Sequence, residues 1–426
     1  MIACYPFTIS TVAIIHVHDL DAQDCYILII RFAFRLNASV TLPWHRVMRC
    51  HGMSITKGAS IAPTSQDWAN LRLARASDVA AIQNIYHEVY KGTYTYHEYT
   101  DATYLHKDIT SGHSGWYVVE DATRGQEIAG CVSATVDFAN ARAYSRGMMM
   151  RPCWQGRGGA SRLFGDAFAD FMRVFAGKVR LVWAETRATS IKPQAVCETI
   201  GLNPVGILPG KDVFFNRRET PVIMAVYASS AWATRDSAIT IVPELVALHD
   251  HVATMFRAMK KDDVQVSEIT ITENTRCKSA VIVSDFEKRF GYTMYSFTCE
   301  KTGESIDISV NHQCMNAEGM EIHCATASTA RILLAFALGY LQSIGVEYVE
   351  GYCPANRSAL QAAFLAAGFV PFGYVPAWNK DARTGLNVDH VIFGWSMDLI
   401  DHARLCLTAK SCKLAQVLES RPLMVN

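Results

Sequence analysis

The sequence predicts a mixed α/β (α+β) protein that carries the same fold twice. Three observations predict it. Apolar segments with strand character alternate with segments of helical period, in the order strand, helix, antiparallel strands, then helix, strand, helix and two strands. That order runs from Leu71 to Tyr227 and starts again near Pro243. Two stretches that end a helix and open a strand are alike: Glu-Thr-Ile-Gly-Leu-Asn-Pro-Val-Gly at 198–206 and Leu-Ala-Ala-Gly-Phe-Val-Pro-Phe-Gly at 365–373. Such self-similarity is the mark of an internal duplication.

In the first copy, Leu71 to Ala74 reads as a short strand. Ser77 can cap the next helix, whose face is Val79, Ile82, Ile85, Tyr86 and Val89. Strands follow at Trp116 to Glu120, Ile128 to Phe138 and Tyr144 to Met150, the first two joined by the polar turn Asp121 to Gln126. A helix then runs from about Gly158 to Phe175, a strand from Arg180 to Thr186, and a short helix from Pro193 to Ile200 that stops at Gly201. Val205 to Leu208 and Pro221 to Tyr227 close the set.

Residues 229–236 read as a linker. The second copy has a helix at Pro243 to Met259 and strands at Ala280 to Ser284, Tyr292 to Cys299, Ile306 to Val310 and Met320 to Cys324. A long apolar helix, Ser328 to Ile344, precedes the strand Glu347 to Tyr352 and the helix Asn356 to Ala367. Strands Val370 to Val375 and His390 to Trp395 complete it, and Leu399 to Leu418 reads as a terminal helix. The expected division is therefore 1–69 as an N-terminal extension, 70–228 and 241–398 as domains, 229–240 as a linker, and 399–426 as helix and tail. Residues 1–52 mix apolar runs with isolated charges. They read either as an extension upstream of a true start at Met53 or as an accessory element; Met53 to Asp67 is a polar, flexible stretch.

Bulk properties narrow the function classes. The 426 residues leave room for two or three domains, and half of them are hydrophobic, enough for a sizeable core. Lys+Arg and Asp+Glu balance at 40 each, which argues against a nucleic-acid partner. The 13 cysteines form no Cys-x-x-Cys pair and no zinc-spaced cluster. They predict no metal, no disulfide scaffold and a reducing, cytoplasmic location, with most thiols buried as small apolar groups. The runs Thr11–Val17 and Tyr26–Phe34 are shorter than the ~18 residues of a membrane span, contain His16 and Arg31, and lack the shape of a secretory leader. No membrane partner is expected, and a homodimer stays open.

The most informative stretch is Gln155-Gly156-Arg157-Gly158-Gly159-Ala160, between a strand and a helix. Unpaired N–H groups at a helix start bind anions, and glycines let the backbone approach a phosphate closely. Arg157 and Arg162 add positive charge. With the preceding Met148-Met149-Met150 and the following Ser161, the stretch resembles the acyl-CoA motif of the GNAT superfamily, Gln/Arg-x-x-Gly-x-Gly/Ala, met by Gln155, Gly158 and Ala160. The resemblance covers about Leu71 to Tyr227. It implies that Gln155, Gly156, Arg157, Gly158, Gly159, Ala160 and Ser161 cradle the pyrophosphate of acetyl-CoA or another short acyl-CoA. It implies that Met148 to Met150 accompany the pantetheine arm, and that the strand splays from Arg180–Thr186 to seat the thioester.

Two departures stand out. Where many members carry an Asn and a Tyr, this chain has Ser190 and Cys197. A Cys197 thiol can protonate a leaving thiolate; a buried structural cysteine is the plainer reading. Glu185 is the first candidate for the base, against a solvated strand-end carboxylate, and Tyr144 is the second, against packing. Asp137 reads as a turn residue. His87 and His97 lie in the Tyr-rich segment 86–104, which either lines an acceptor pocket or packs. Gly206 to Arg218 either covers the acceptor or forms a solvated hairpin.

In the second copy, Asn356-Arg357-Ser358-Ala359 and Gly368-Phe369 are similar to another motif of the family, but the loop Cys324-Ala325-Thr326-Ala327-Ser328-Thr329 holds no glycine. The second domain is therefore expected to be GNAT-like with a degenerate cofactor loop. The functional expectation is an N-acetyltransferase that acylates a primary amine of a small molecule. The alternatives are a non-catalytic acyl-CoA or metabolite sensor and a protein lysine or N-terminal acetyltransferase.

Overall fold

The structure, a computed structural model, describes residues 69–156, 159–259, 264–269, 280–398, 400 and 404–419, with the dipeptides 17–18 and 25–26. The question of residues 1–52 and the stretch Met53 to Asp67 lie outside the described residues, as do Arg157 and Gly158.

The first half opens with strand β1 (Ala69–Leu73), helix α1 (Val79–Tyr90) and helix α2 (Ala102–Thr110). Strands β2 (Ser114–Asp121), β3 (Glu127–Asp137) and β4 (Arg142–Met150) follow. Helix α3 (Ala160–Val174), strand β5 (Leu181–Arg187) and helix α4 (Ile191–Thr199) come next. Strand β6 (Asn203–Ile207), a small hairpin of β7 (Asp212–Phe214) and β8 (Arg217–Glu219), and β9 (Pro221–Tyr227) complete it.

Burial explains the pattern. Val79, Ile82, Ile85 and Tyr86 turn inward from α1, the face expected from their spacing. Strand β2 is buried along its whole length because helices cover both of its faces. Trp116 and Val118 pack with α1 and α2, whereas Tyr117 packs with Phe171 of α3. Helix α2 was not expected from the sequence; Asp101 caps it by accepting from the Tyr104 N–H.

Residues 229–236 are not a free linker. Ser229–Ala233 forms a short helix, and Arg235 makes a buried ion pair with Asp389 at 2.5 Å. Beyond them come β10 (Ile239–Ile241), α6 (Val246–Met255; Ser229–Ala233 is α5) and β11 (Val264–Val266). Strands β12 (Val281–Lys288), β13 (Tyr292–Cys299), β14 (Ser305–Asn311) and β15 (Asn316–His323) follow. Helix α7 (Ala327–Ser343), β16 (Tyr348–Pro354), α8 (Ser358–Ala366), β17 (Val370–Lys380), β18 (Asn387–Ser396) and α9 (Ala409–Glu419) end the chain. The terminal helix is shorter than expected. Residues 405–408 are not helical and dock on the first half: Cys406 N–H donates to the Ala188 carbonyl, and Gln194 of α4 donates to the Cys406 carbonyl at 2.8 Å.

The halves share one fourteen-stranded sheet, ordered β12-β13-β14-β15-β16-β18-β17-β6-β9-β5-β4-β3-β2-β1. Read outward from the middle, each side runs through strands of the same relative direction, with one parallel pair: β4 with β5, and β15 with β16. One connection differs. Strands β12 and β13 are joined by a tight turn at Arg289–Gly291, whereas β1 reaches β2 through two helices. The joint at the middle is Gly206 opposite Gly373, the last glycines of the two similar stretches. A side chain on Gly373 would come within 2.6 Å of the Val205 carbonyl, so the strands meet where neither carries one.

Candidate active site

Strands β4 and β5 pair from Arg142–Leu181 to Ser145–Ala184 and then part. The cause lies in β4. Its register with β3 steps from Ser133–Arg146 to Cys131–Met149, so Gly147 and Met148 stand opposite a single residue. Gly147 adopts φ +64°, and a side chain there would meet the Tyr86 hydroxyl at 2.6 Å. Beyond this bulge the strands enclose a cavity of about 140 Å³. Gly147, Met148 and Met149 form one wall, Ala184 to Arg187 the other, and Phe164, Phe168 and Phe171 of α3 the floor. The expected splay is present. Met150 is outside this wall; its carbonyl accepts from the Gln155 amide at 2.9 Å.

The loop after β4 is pinned by Trp154, whose indole donates to the buried Asp121 at 2.8 Å. Gly156 and Gly159 both have positive φ, 78° and 80°. Gly159 is the N-cap of α3 and no side chain caps it, so the N–H groups at Ala160 and Ser161 are placed for an external anion. Arg157 and Gly158 complete this loop in sequence but lie outside the described residues.

Glu185 sits where the splay opens. Its side chain is only 9% exposed, so it is not the solvated strand-end group that its position suggested. Its carboxylate accepts from Lys211 Nζ at 2.8 Å and from the Tyr144 hydroxyl at 3.2 Å. Tyr144 stacks on Trp183, and burial, then the charge of Glu185, pushes its phenol well above the usual range. It is therefore a hydrogen-bond donor at neutral pH. Cys197 also lines the cavity; burial pushes its thiol up to about 12. Asp137, read as a turn residue, accepts from Asn140 and pairs with Arg142.

The segment Gly206 to Arg218 is not a solvated hairpin. Lys211 is buried and holds carboxylates of both halves: Glu185, Glu350 at 3.0 Å and Glu318 at 3.1 Å. Burial works against its charge, and the three carboxylates outweigh that cost. Asp212 is buried beside it and accepts from the Tyr96 hydroxyl at 2.5 Å. Burial first, and the charge of Glu185 second, push Asp212 up to about 7. Glu350, raised chiefly by burial, also accepts from Tyr348 at 2.6 Å. Sequence reasoning missed Lys211, Asp212, Glu318 and Glu350. A signal existed: Lys211-Asp212 stand between Leu208 and Phe214-Phe215, and Glu350 interrupts an apolar strand.

Much of the Tyr-rich segment packs, while Tyr90 also lines the cavity. Tyr86, Tyr94, Tyr96 and Tyr99 are buried, and Tyr94 stacks on Phe214 of the hairpin. His87 and His97 face a separate polar cleft with Gln83, Asp101 and Phe290.

A family model described as Acetyltransferase (GNAT) family matches residues 79–201, from the start of α1 through the splay and the loop to the end of α4. The chain carries a GNAT-family domain. Among solved structures, its GNAT fold is similar to spermidine N-acetyltransferase from Vibrio cholerae in complex with CoA and spermine. That pair shares 19% identity over 38% of this chain and 98% of that one, with a TM-score of 0.32. It is also similar to ribosomal-protein-S5-alanine acetyltransferase from Vibrio fischeri, at 15% identity over 39% of this chain and 96% of that one, TM-score 0.33. No curated protein matches the chain. No described helix is long and apolar enough to cross a membrane.

Beside this GNAT domain, the second half differs at both matching places. Strand β15 keeps a bulge, with Gly319 at φ +69°, but its pairing with β16 resumes at Met320–Gly351. At the start of α7, Thr326 caps the helix through the Thr329 N–H, and Glu304 accepts from the N–H groups of Ala325 and Thr326 at 2.6 and 3.3 Å. Burial alone would raise the Glu304 carboxyl; bonds from Thr329, Thr302 and these amides outweigh it and hold the group below its usual range.

Proposed function

We propose that the chain is an acyl-CoA-dependent N-acyltransferase that moves an acetyl or other short acyl group to a primary amine of a small molecule. One observation carries this reading: the splay of β4 and β5 opens at an enclosed carboxylate, Glu185, and the strand β4 leads from it to the uncapped start of α3. The residues fit an acyl-CoA. Gly156, Gly159, Ala160 and Ser161, with Arg157 and Gly158, would take the pyrophosphate through backbone N–H groups. Met148 and Met149 would flank the pantetheine arm, and the thioester would supply the acyl group at the mouth of the splay.

An amine enters as its ammonium form and must lose a proton before attack. Glu185 is our choice for the acceptor, oriented by Lys211 and Tyr144. Asp212, poised near 7, is a second proton store next to Lys211, with the Tyr96 hydroxyl donating to it. The thiolate then leaves and takes a proton. Cys197, protonated at neutral pH, lines the same cavity, and we read it as wall rather than acid.

The second half reads as a GNAT-like copy whose anion site is filled by its own Glu304. Its role would be to complete the acceptor side with Glu318 and Glu350. The sensor reading draws on Cys197 and Ser190 standing where many family members have Tyr and Asn. Incubation with acetyl-CoA and a panel of amines, followed by free thiol, separates the two. Thiol release above background supports the enzyme; acetyl-CoA binding without release supports the sensor.

A further inference from the structure

The chamber at the mouth of the splay has a positive and a negative end. Arg146, one residue before the Gly147 bulge, supplies the positive end and lines the cavity with Glu185. Its guanidinium carbon lies 3.7 Å from the centre of the Tyr99 ring, 5.0 Å from Tyr144 and 5.2 Å from Tyr96. Among the described residues it makes no ion pair, and its buried Nε has no hydrogen-bond partner. Ring faces stabilise the cation without using its N–H groups. The planar fork of donors is thus left for a ligand, and a carboxylate is the group that fits it two bonds at a time.

The negative end is reached through the same tyrosines. Tyr96 has Arg146 over its ring and donates to Asp212 at 2.5 Å; Tyr144 has Arg146 over its ring and donates to Glu185 at 3.2 Å. One tyrosine side chain therefore separates the two poles. Lys211 is a single cation among Glu185, Glu318 and Glu350, with Asp212 next to it in sequence, so carboxylates are in excess. An ammonium group is drawn to that side, and a cation with no anionic group is repelled by Arg146.

We propose that the acceptor is a small zwitterionic amine, an amino acid with a free carboxylate, held by Arg146 at its carboxylate and by the Glu185 and Asp212 side at its amine. This rests on the acyltransferase reading. In the step, the amine nitrogen bonds to the acyl carbon and the carbon–sulfur bond breaks. The amine's protons go to the carboxylate side, and the sulfur takes one as free thiol. The product is an N-acyl amino acid. It has lost the ammonium charge, which loosens it from the carboxylates.

The test uses the full chain with acetyl-CoA and matched acceptors: free amino acids, their methyl esters, and the amines left after decarboxylation. Thiol release is followed for each. The free amino acid of the preferred side chain should exceed its ester and its amine by roughly 10- to 100-fold in kcat/KM. Arg146→Gln should erase most of that ratio by raising KM, and Arg146→Lys should restore part of it; unchanged acetyl-CoA binding certifies that each variant is folded. Esters or amines turned over as well as the amino acids would overturn the proposal and leave the acyltransferase reading standing. An unchanged ratio in a folded Arg146→Gln variant would also overturn it. No thiol release from any acceptor would overturn both.

Discussion

The two halves of the sheet carry the same strand order, and each has a glycine bulge in the strand before its parallel pair. In the first half the bulge opens a cavity; in the second the strands close again at Met320–Gly351. In the first half the helix after the bulge has no side-chain cap; in the second, Thr326 and Glu304 take its loop amides. A bulge alone therefore does not make a site. What makes one is leaving the strand edges and the helix amides without internal partners; in the second half the pairing at Met320–Gly351 takes the first, and Glu304 with Thr326 takes the second.

The largest expected effect tests this contrast directly. Gly147→Val forces a β-branched residue into the left-handed region and against Tyr86, and should cut acyl-CoA affinity by ~100-fold or more. Gly319→Val carries the same backbone strain in the second half and should leave acyl-CoA affinity unchanged. Calorimetric titration of both variants gives the answer. Next, Glu185→Gln should lower kcat by roughly 10²- to 10⁴-fold while acyl-CoA binding holds, read by steady-state kinetics beside titration.

The contact between halves comes third. Lys211→Met leaves buried carboxylates of both halves without their cation and should cost roughly 3–5 kcal/mol in denaturant unfolding. A loss below ~1 kcal/mol would mean that the joint does not depend on this cluster. Fourth, Asp212 binds its proton more tightly in the folded chain than in the unfolded one. The wild type should therefore lose stability relative to Asp212→Asn as pH rises from about 4 to about 7, by roughly 4 kcal/mol across that window. Unfolding curves at several pH values check the slope. The smallest effect belongs to Glu304→Ala, which should cost ~1 kcal/mol and leave kcat/KM unchanged.

Much of the fold was legible because most elements announce themselves by period. The α1 face, the strands about Trp116, Ile128 and Tyr144, and the helix ends at Gly201 and Gly368 needed no tertiary information. Helix α2 was not legible: its Tyr- and Thr-rich segment has weak helical character and depends on the Asp101 cap. The acyl-CoA side of the site could be read because glycines and their spacing record backbone geometry locally. The acceptor side could not. Lys211, Glu185, Glu318 and Glu350 lie far apart in the chain and on both halves, and it takes the packing of the halves, with the sheet joint at Gly206–Gly373 at its centre, to bring them together. Single charges in such positions read as solvated until their partners are known.

The most direct test is the stoichiometry of acyl-CoA binding to the full chain, measured by titration calorimetry for the wild type and for Gly158→Trp. The account predicts one site per chain in the wild type and none in the variant. Two sites per chain, or a site that survives Gly158→Trp, would contradict it.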